Sequence, residues 1–222
     1  MANRAYRTVA DLPQVIPVFP LDGALLLPGG LLPLRIFEPR YLNMVDDAMA
    51  GDRMIGMIQT EPGGDRERPI LAKVGCAGRI TSYAETGDGK YLVSLSGVCR
   101  FQPLEELPLH SPYRQVRATY TRFALDLDAD DATLEFERSP FLADLRRYLD
   151  QRGLGVEWDA VAAAPAPALI NSLAMALPFD PMEKQALLEA PDLEERRATL
   201  ATLLRFGASA GEDDDDAGPS LH

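Results

Sequence analysis

Across 222 residues the chain carries 46% hydrophobic and 25% charged residues, which excludes a fibrous repeat or wholesale disorder and allows one large domain or two small lobes. The net charge is −12, and five of those charges, Glu212 and Asp213 to Asp216, lie after Gly207 without a Lys or Arg, leaving −7 for the rest. An acidic body starts at a disadvantage for neutralising phosphates, so nucleic acid is a disfavoured partner.

No window approaches the ~20 consecutive apolar residues that span a bilayer, and Met1 to Arg7 lack an apolar signal core, so a cytosolic protein without a membrane partner is expected. Cys76 and Cys99 are the only cysteines, too few for a disulfide framework and suited to a reducing compartment.

In chain order, Val15 to Leu21 is an apolar run hemmed by prolines, which favours a sheet edge or strand end. After Pro28-Gly29-Gly30, Leu31 to Phe37 is a second apolar run. Pro39 suits the first turn of a helix, and Tyr41, Leu42, Val45, Ala48 and Met49 recur at helical spacing, predicting a helix from about Pro39 to Ala50 that Gly51 ends. Met54 to Ile58 reads as a buried strand and Glu61 to Arg68 as a polar loop. Val74 to Glu85 and Lys90 to Phe101 read as a hairpin about Thr86-Gly87-Asp88-Gly89. Straight pairing from that turn sets Cys76 opposite Cys99, and a slip or a bulge at Gly97 breaks the match. Tyr113 to Phe123 predicts a further strand.

From Leu134 the period becomes helical, through Leu149, with Gly153 and Gly155 as stops. Pro167 opens a helix through Leu177. Asp180 and Asp192 each precede a Glu by three residues, the capping-box arrangement, predicting helices over about Pro181 to Glu189 and Leu193 to Phe206, the last ended by Gly207. The acidic tail beyond is expected to be disordered.

Ile16-Pro17-Val18-Phe19-Pro20-Leu21, then Pro28, then Pro33-Leu34-Arg35-Ile36-Phe37-Glu38-Pro39-Arg40-Tyr41, resembles the opening of the LON substrate-binding domain family, the N-terminal domain of Lon proteases. Val74 to Ile80 with Gly97 to Phe101 resembles that family's central hairpin, and Leu173 to Arg205 its C-terminal helices, so the likeness covers about residues 14–206. The resemblance implies an α+β fold: a PUA-like, mostly antiparallel β lobe of pseudo-barrel form with one early helix, then a helical lobe. The expected division is 1–124 for the β lobe, 125–132 for an acidic linker, 133–207 for the helical lobe and 208–222 for the tail. It also implies recognition of unfolded or damaged polypeptide, alone or as adaptor for a separate protease. No G-x-x-x-x-G-K-[ST] loop is present, so no nucleotide cofactor or inherited catalysis is expected.

Asp126, Asp128, Asp130 and Glu137 fall at EF-hand positions 1, 3, 5 and 12, but Asp131 stands where the loop needs Gly, and an acidic linker is the preferred reading over a metal site. His110 beside Ser111 could begin a hydrolase triad, yet no G-x-S-x-G turn accompanies them. Cys76, Cys99 and His110 lack a C-x-x-C pair and a fourth zinc ligand. Apolar surface remains as the means of recognition. Met54, Met57, Met175 and Met182 are adaptable, though mostly expected in the core. The leucines about the Pro28-Gly29-Gly30 turn, Leu25, Leu26, Leu27, Leu31 and Leu32, are the expected peptide-binding residues because three leucines before such a turn are hard to bury. Arg35 and Arg40 join them as groups able to hold a peptide carboxylate or backbone, against a structural reading in which they and Glu38 secure the strand-to-helix corner. An RNA-associated module, on fold analogy, is the alternative.

Overall fold

A computed structural model describes residues 6–65, 68–108, 110–131 and 134–209. They contain six strands, β1 (Val15–Pro20), β2 (Leu31–Ile36), β3 (Met54–Asp65), β4 (Arg68–Glu85), β5 (Tyr91–Glu106) and β6 (Gln115–Thr119). The helices are α1 (Pro39–Ala50), α2 (Arg138–Gln151), α3 (Trp158–Ala163), α4 (Ala166–Ala176), α5 (Pro181–Glu189) and α6 (Leu193–Ser209). The described residues fall into two compact units, one within Met1–Ala132 and Asn171–Glu189, the other within Thr133–Ile170 and Ala190–His222.

In the first unit β1 lies parallel to β3 and antiparallel to β6, β6 pairs with β5, β5 with β4, and β4 with β3. The path returns to its start, so five strands close a ring, and β2 is added to the first half of β5 as the terminal strand. The expected α+β class and pseudo-barrel are observed. Pro17 and Pro20 fit β1 because it is paired only on one side at a time: Val15 to Pro17 face β6, and Val18 to Pro20 face β3.

The predicted loop Glu61 to Arg68 is instead the end of a hairpin, with Glu61 opposite Ile70 and Gly64 opposite Pro69. Register shifts absorb the Pro and Gly residues there, and Gly63 adopts φ +106°, a conformation available to glycine. The predicted strand from Tyr113 to Phe123 is shortened to β6, and a 3-10 segment begins at Thr121.

The helical half divides differently from the expected 133–207 lobe. Asn171 Nδ2 donates to Pro28 O at 3.1 Å, Gln185 Nε2 to Val74 O at 3.1 Å, and Arg100 Nη1 to Leu188 O at 3.0 Å, which ties Asn171–Glu189 to the sheet. Asp180 and Glu183 form the predicted reciprocal capping box, each accepting from the other's backbone N–H at 2.8 and 2.9 Å.

In the second unit α2 packs on α6, and α3 was not foreseen. Gly207 does not end α6, which continues to Ser209. Its role is close approach: a Cβ at Gly207 would lie 2.6 Å from the Tyr148 ring, and Arg152, stacked 4.0 Å from that ring, donates to Gly207 O. Residues 210–222, including the acidic run expected to be disordered, lie outside the described residues.

Candidate functional site

The residues expected to bind peptide, from Leu25 to Arg40, all lie in the first unit. Leu25, Leu26 and Leu27 are 2, 1 and 0% exposed, so the expectation that this loop displays them is overturned. Gly78 and Gly97 face each other across β4 and β5, and the missing side chains leave a slot. A Cβ on Gly78 would stand 2.6 Å from Leu26 Cδ2, and one on Gly97 would stand 2.8 Å from the carbonyl carbon of Leu27. The leucines therefore close the ring's core.

Leu31, by contrast, is 61% exposed and Phe37 is 62% exposed, with Leu32 intermediate between core and surface. Gly97 N donates to Gly30 O, and this bond sets the alternation of the antiparallel ladder. Leu32, Leu34 and Ile36 direct their backbone groups to β5, while Leu31, Pro33 and Arg35 direct theirs away from it. Pro33 occupies an outward position, where a missing N–H interrupts no ladder bond. On the face shared by these odd positions, Arg35 lies opposite Leu92, which lies opposite Ala84, so Leu31, Pro33 and Leu92 form an apolar strip beside a strand edge.

Arg35 pairs at 3.4 Å with Asp88 in the β4–β5 turn, both side chains exposed. Such a pair contributes at most about 1 kcal/mol, leaving the guanidinium able to exchange partners. Arg40 instead pairs with Glu38 at 2.8 Å and lies 4.6 Å from the Tyr41 ring centroid, serving the strand-to-helix corner.

The residues of the other candidate chemistries are engaged elsewhere or lie apart. Asp126 is no linker residue: its carboxylate accepts from Arg100 N, Nε and Nη2 at 2.9, 2.9 and 2.7 Å in a buried pair. Ser111 Oγ donates to Tyr113 O at 3.0 Å, and His110 is exposed, so the pair is not assembled as nucleophile and base. Among the described residues no group of three His, Cys, Asp or Glu is placed to hold a metal ion.

Cys99 lies opposite Ala77, and Cys76 opposite Arg100, because the register shifts between Ala77 and Gly78 as a bulge at Gly97 would require. Both cysteines are buried thiols. Burial, reinforced by the Asp126 carboxylate and opposed by Arg100, pushes the Cys99 thiol up to about 12. A thiol-disulfide reagent should therefore label both cysteines at least about a hundredfold more slowly in the native protein than in denaturant; native-state rates matching denatured ones would contradict this burial.

A buried polar network between β3 and α5 has no counterpart in any local sequence pattern. Gln59, 2% exposed, accepts from Gly23 N at 3.1 Å and donates to Pro181 O and Gln185 Oε1, both at 3.0 Å. Lys184 Nζ donates to Gly23 O at 2.7 Å, and burial lowers its proton affinity. This network seats the start of α5 over β3 and leaves an open cavity of about 320 Å³ beside it.

Comparison with known proteins follows the same outline. The family described as the ATP-dependent protease La (LON) substrate-binding domain matches residues 15–205. The Lon protease of Roseiflexus castenholzii is 29% identical over 202 residues, and Lon protease 2 of Myxococcus xanthus 28% over 205; each alignment covers 87% of this chain and 24% of the relative. The chain thus spans about a quarter of the length of these relatives. Among solved structures, a Lon N-terminal domain protein from Xanthomonas campestris has a TM-score of 0.62 at 24% identity, covering 85% of this chain and 97% of that one. The N-terminal domain of Mycobacterium avium complex Lon protease gives 0.57 at 18%, covering 86% and 97%. These structures share the fold.

Proposed function

Because this chain belongs to the LON substrate-binding domain family, we propose that it is a non-catalytic module that holds an extended apolar stretch of unfolded polypeptide along the outer edge of β2. The observation that carries this reading is a terminal strand whose outward N–H and C=O groups at Leu31 and Arg35, with the outward C=O alone at Pro33, lie beside exposed Leu31, Leu92 and Phe37. An added strand takes affinity from main-chain hydrogen bonds, and alternate side chains dock on the apolar strip. Arg35 supplies donors to carbonyl groups of the incoming chain. Leu32 helps anchor the strand through its inward backbone, and Arg40 holds the corner that follows. A polypeptide held this way could be passed to a separate protease.

Nucleic acid is the weaker reading because exposed Arg35, Arg40, Arg68, Arg117 and Arg147 each stand beside a carboxylate, which reduces the field that phosphate binding draws on.

The test is fluorescence anisotropy with a labelled, reduced, permanently unfolded polypeptide. Leu31→Asp and Phe37→Asp should each weaken binding about tenfold or more, from the apolar area each loses at the contact, with unchanged thermal unfolding because both side chains are exposed. A short apolar peptide methylated at alternate backbone nitrogens should bind worse than its unmethylated form. Unaltered binding by both variants sinks the β2 reading.

A further inference from the structure

Of the features the β2 reading leaves unused, the cavity beside α5 goes furthest. It lies wholly within the first unit and is lined by Asp22, Glu61, Pro62, Ala72, Pro181 and Met182, with the Gln59–Gln185 network as its floor. Two register shifts, between Ile58 and Thr60 and between Glu61 and Gly64, interrupt the β3–β4 ladder beside it. The capping box at Asp180 fixes where α5 begins, and so where Pro181 and Met182 stand.

Three properties define what would fit. Met182 is 76% exposed in the first turn of α5, so the cavity offers a long, flexible apolar wall to solvent. The floor is already satisfied: Gln59 spends its carbonyl on Gly23 and its amide on Pro181 and Gln185, while Gln185 also donates to Val74 O. The floor is therefore preformed, and an occupant need not order it on entry. The rim is acidic. Asp22 accepts from Thr60 N at 2.8 Å and from its hydroxyl at 2.9 Å, but no Lys or Arg among the described residues forms an ion pair with Asp22 or Glu61.

We propose that this cavity is a second polypeptide subsite, independent of the β2 edge, that takes an apolar side chain followed by a Lys or Arg. The apolar side chain packs on Met182, Pro62 and Ala72, and the cation is drawn to Asp22 and Glu61. A carboxylate at the second position would be repelled by the same rim, so the subsite selects by charge where the β2 edge selects by apolar content and extension.

The Met182 ε-methyl NMR signal, identified by its loss in Met182→Leu, reads the subsite directly. The probes are two blocked hexapeptides, Ser-Gly-Leu-Lys-Gly-Ser and the same peptide with Glu in place of Lys. The lysine peptide should shift the Met182 signal saturably, and the glutamate peptide should leave it in place at equal concentration. Glu61→Gln, a change of one partly exposed carboxylate, should weaken the lysine peptide by up to roughly fivefold at low salt, and high salt should remove the difference. Leu31→Asp with Phe37→Asp should leave the Met182 response intact. An intact response together with unfolded polypeptide binding the double variant as tightly as the unsubstituted protein would fail the β2 reading and leave this one standing. No shift with the lysine peptide, an equal shift with both peptides, or loss of the response in the β2 double variant would overturn it.

Discussion

Asp126→Ala should lower the stability of the first unit by about 3–5 kcal/mol, read as a shift in the urea midpoint. The side chains of Arg100 and Asp126 are 3 and 9% exposed, and the carboxylate takes three donors from Arg100 alone. The guanidinium also lies 4.3 Å from the centroid of the Phe123 ring and donates to Leu188 O at the end of α5. Removing the carboxylate would leave this cation buried without its counter-charge, and desolvation then dominates. The double variant Arg100→Met with Asp126→Leu should recover most of the loss, since apolar groups of similar size leave no charge behind. Arg35→Ala, which breaks the exposed pair with Asp88, should cost less than about 1 kcal/mol. If Asp126→Ala were equally mild, the buried pair would not be what joins the 3-10 segment and α5 to the sheet.

The way this pair escaped the sequence explains what could and could not be read there. Asp126 sits among acidic residues that look like a solvated run, and its partner lies 26 positions away. Signals contained within a few residues were legible: Pro39 and the spacing to Ala50 marked α1, and the Asp180–Glu183 capping box marked α5. Signals that depend on distant strands were not. Pro62, Gly63 and Gly64 have loop chemistry, and only pairing with Pro69 and Ile70 makes them part of a bulged hairpin. Gly207 has the chemistry of a helix stop, and only the nearby Tyr148 ring shows it to be a contact glycine. The candidate site divides in the same way. Exposed Leu31 and Arg35 lie in the apolar run Leu31 to Phe37, whereas Leu92 joins them through strand pairing. The cavity at Met182 depends on Gln59 meeting Pro181 across 122 positions, which no local pattern records.

Gly97→Ala should destabilise the first unit by about 3 kcal/mol or more, at or beyond the upper end of ordinary overpacking, and with a backbone origin that companion substitutions can demonstrate. Gly97 N donates to Gly30 O and Gly97 O accepts from Gly29 N, so its backbone is held at both ends against the loop that follows Leu27. A methyl group there would fall inside van der Waals distance of Leu27 O and stand 2.8 Å from its carbonyl carbon. Trimming the Leu27 side chain does not move that carbonyl, so Leu27→Ala should not rescue Gly97→Ala and should add its own loss of about 2–5 kcal/mol. Gly78, its cross-strand partner, differs in the atom it approaches. There a methyl would stand 2.6 Å from Leu26 Cδ2, a side-chain terminus, and Leu26→Val should recover part of the loss caused by Gly78→Ala. Rescue at Gly78 without rescue at Gly97, measured by urea unfolding of the four single and two double variants, would establish that the leucines once expected to contact substrate are held in the ring by a glycine slot. Equal rescue at both positions would mean that the Leu27 backbone can shift, and the loop would then be free to expose its leucines after all.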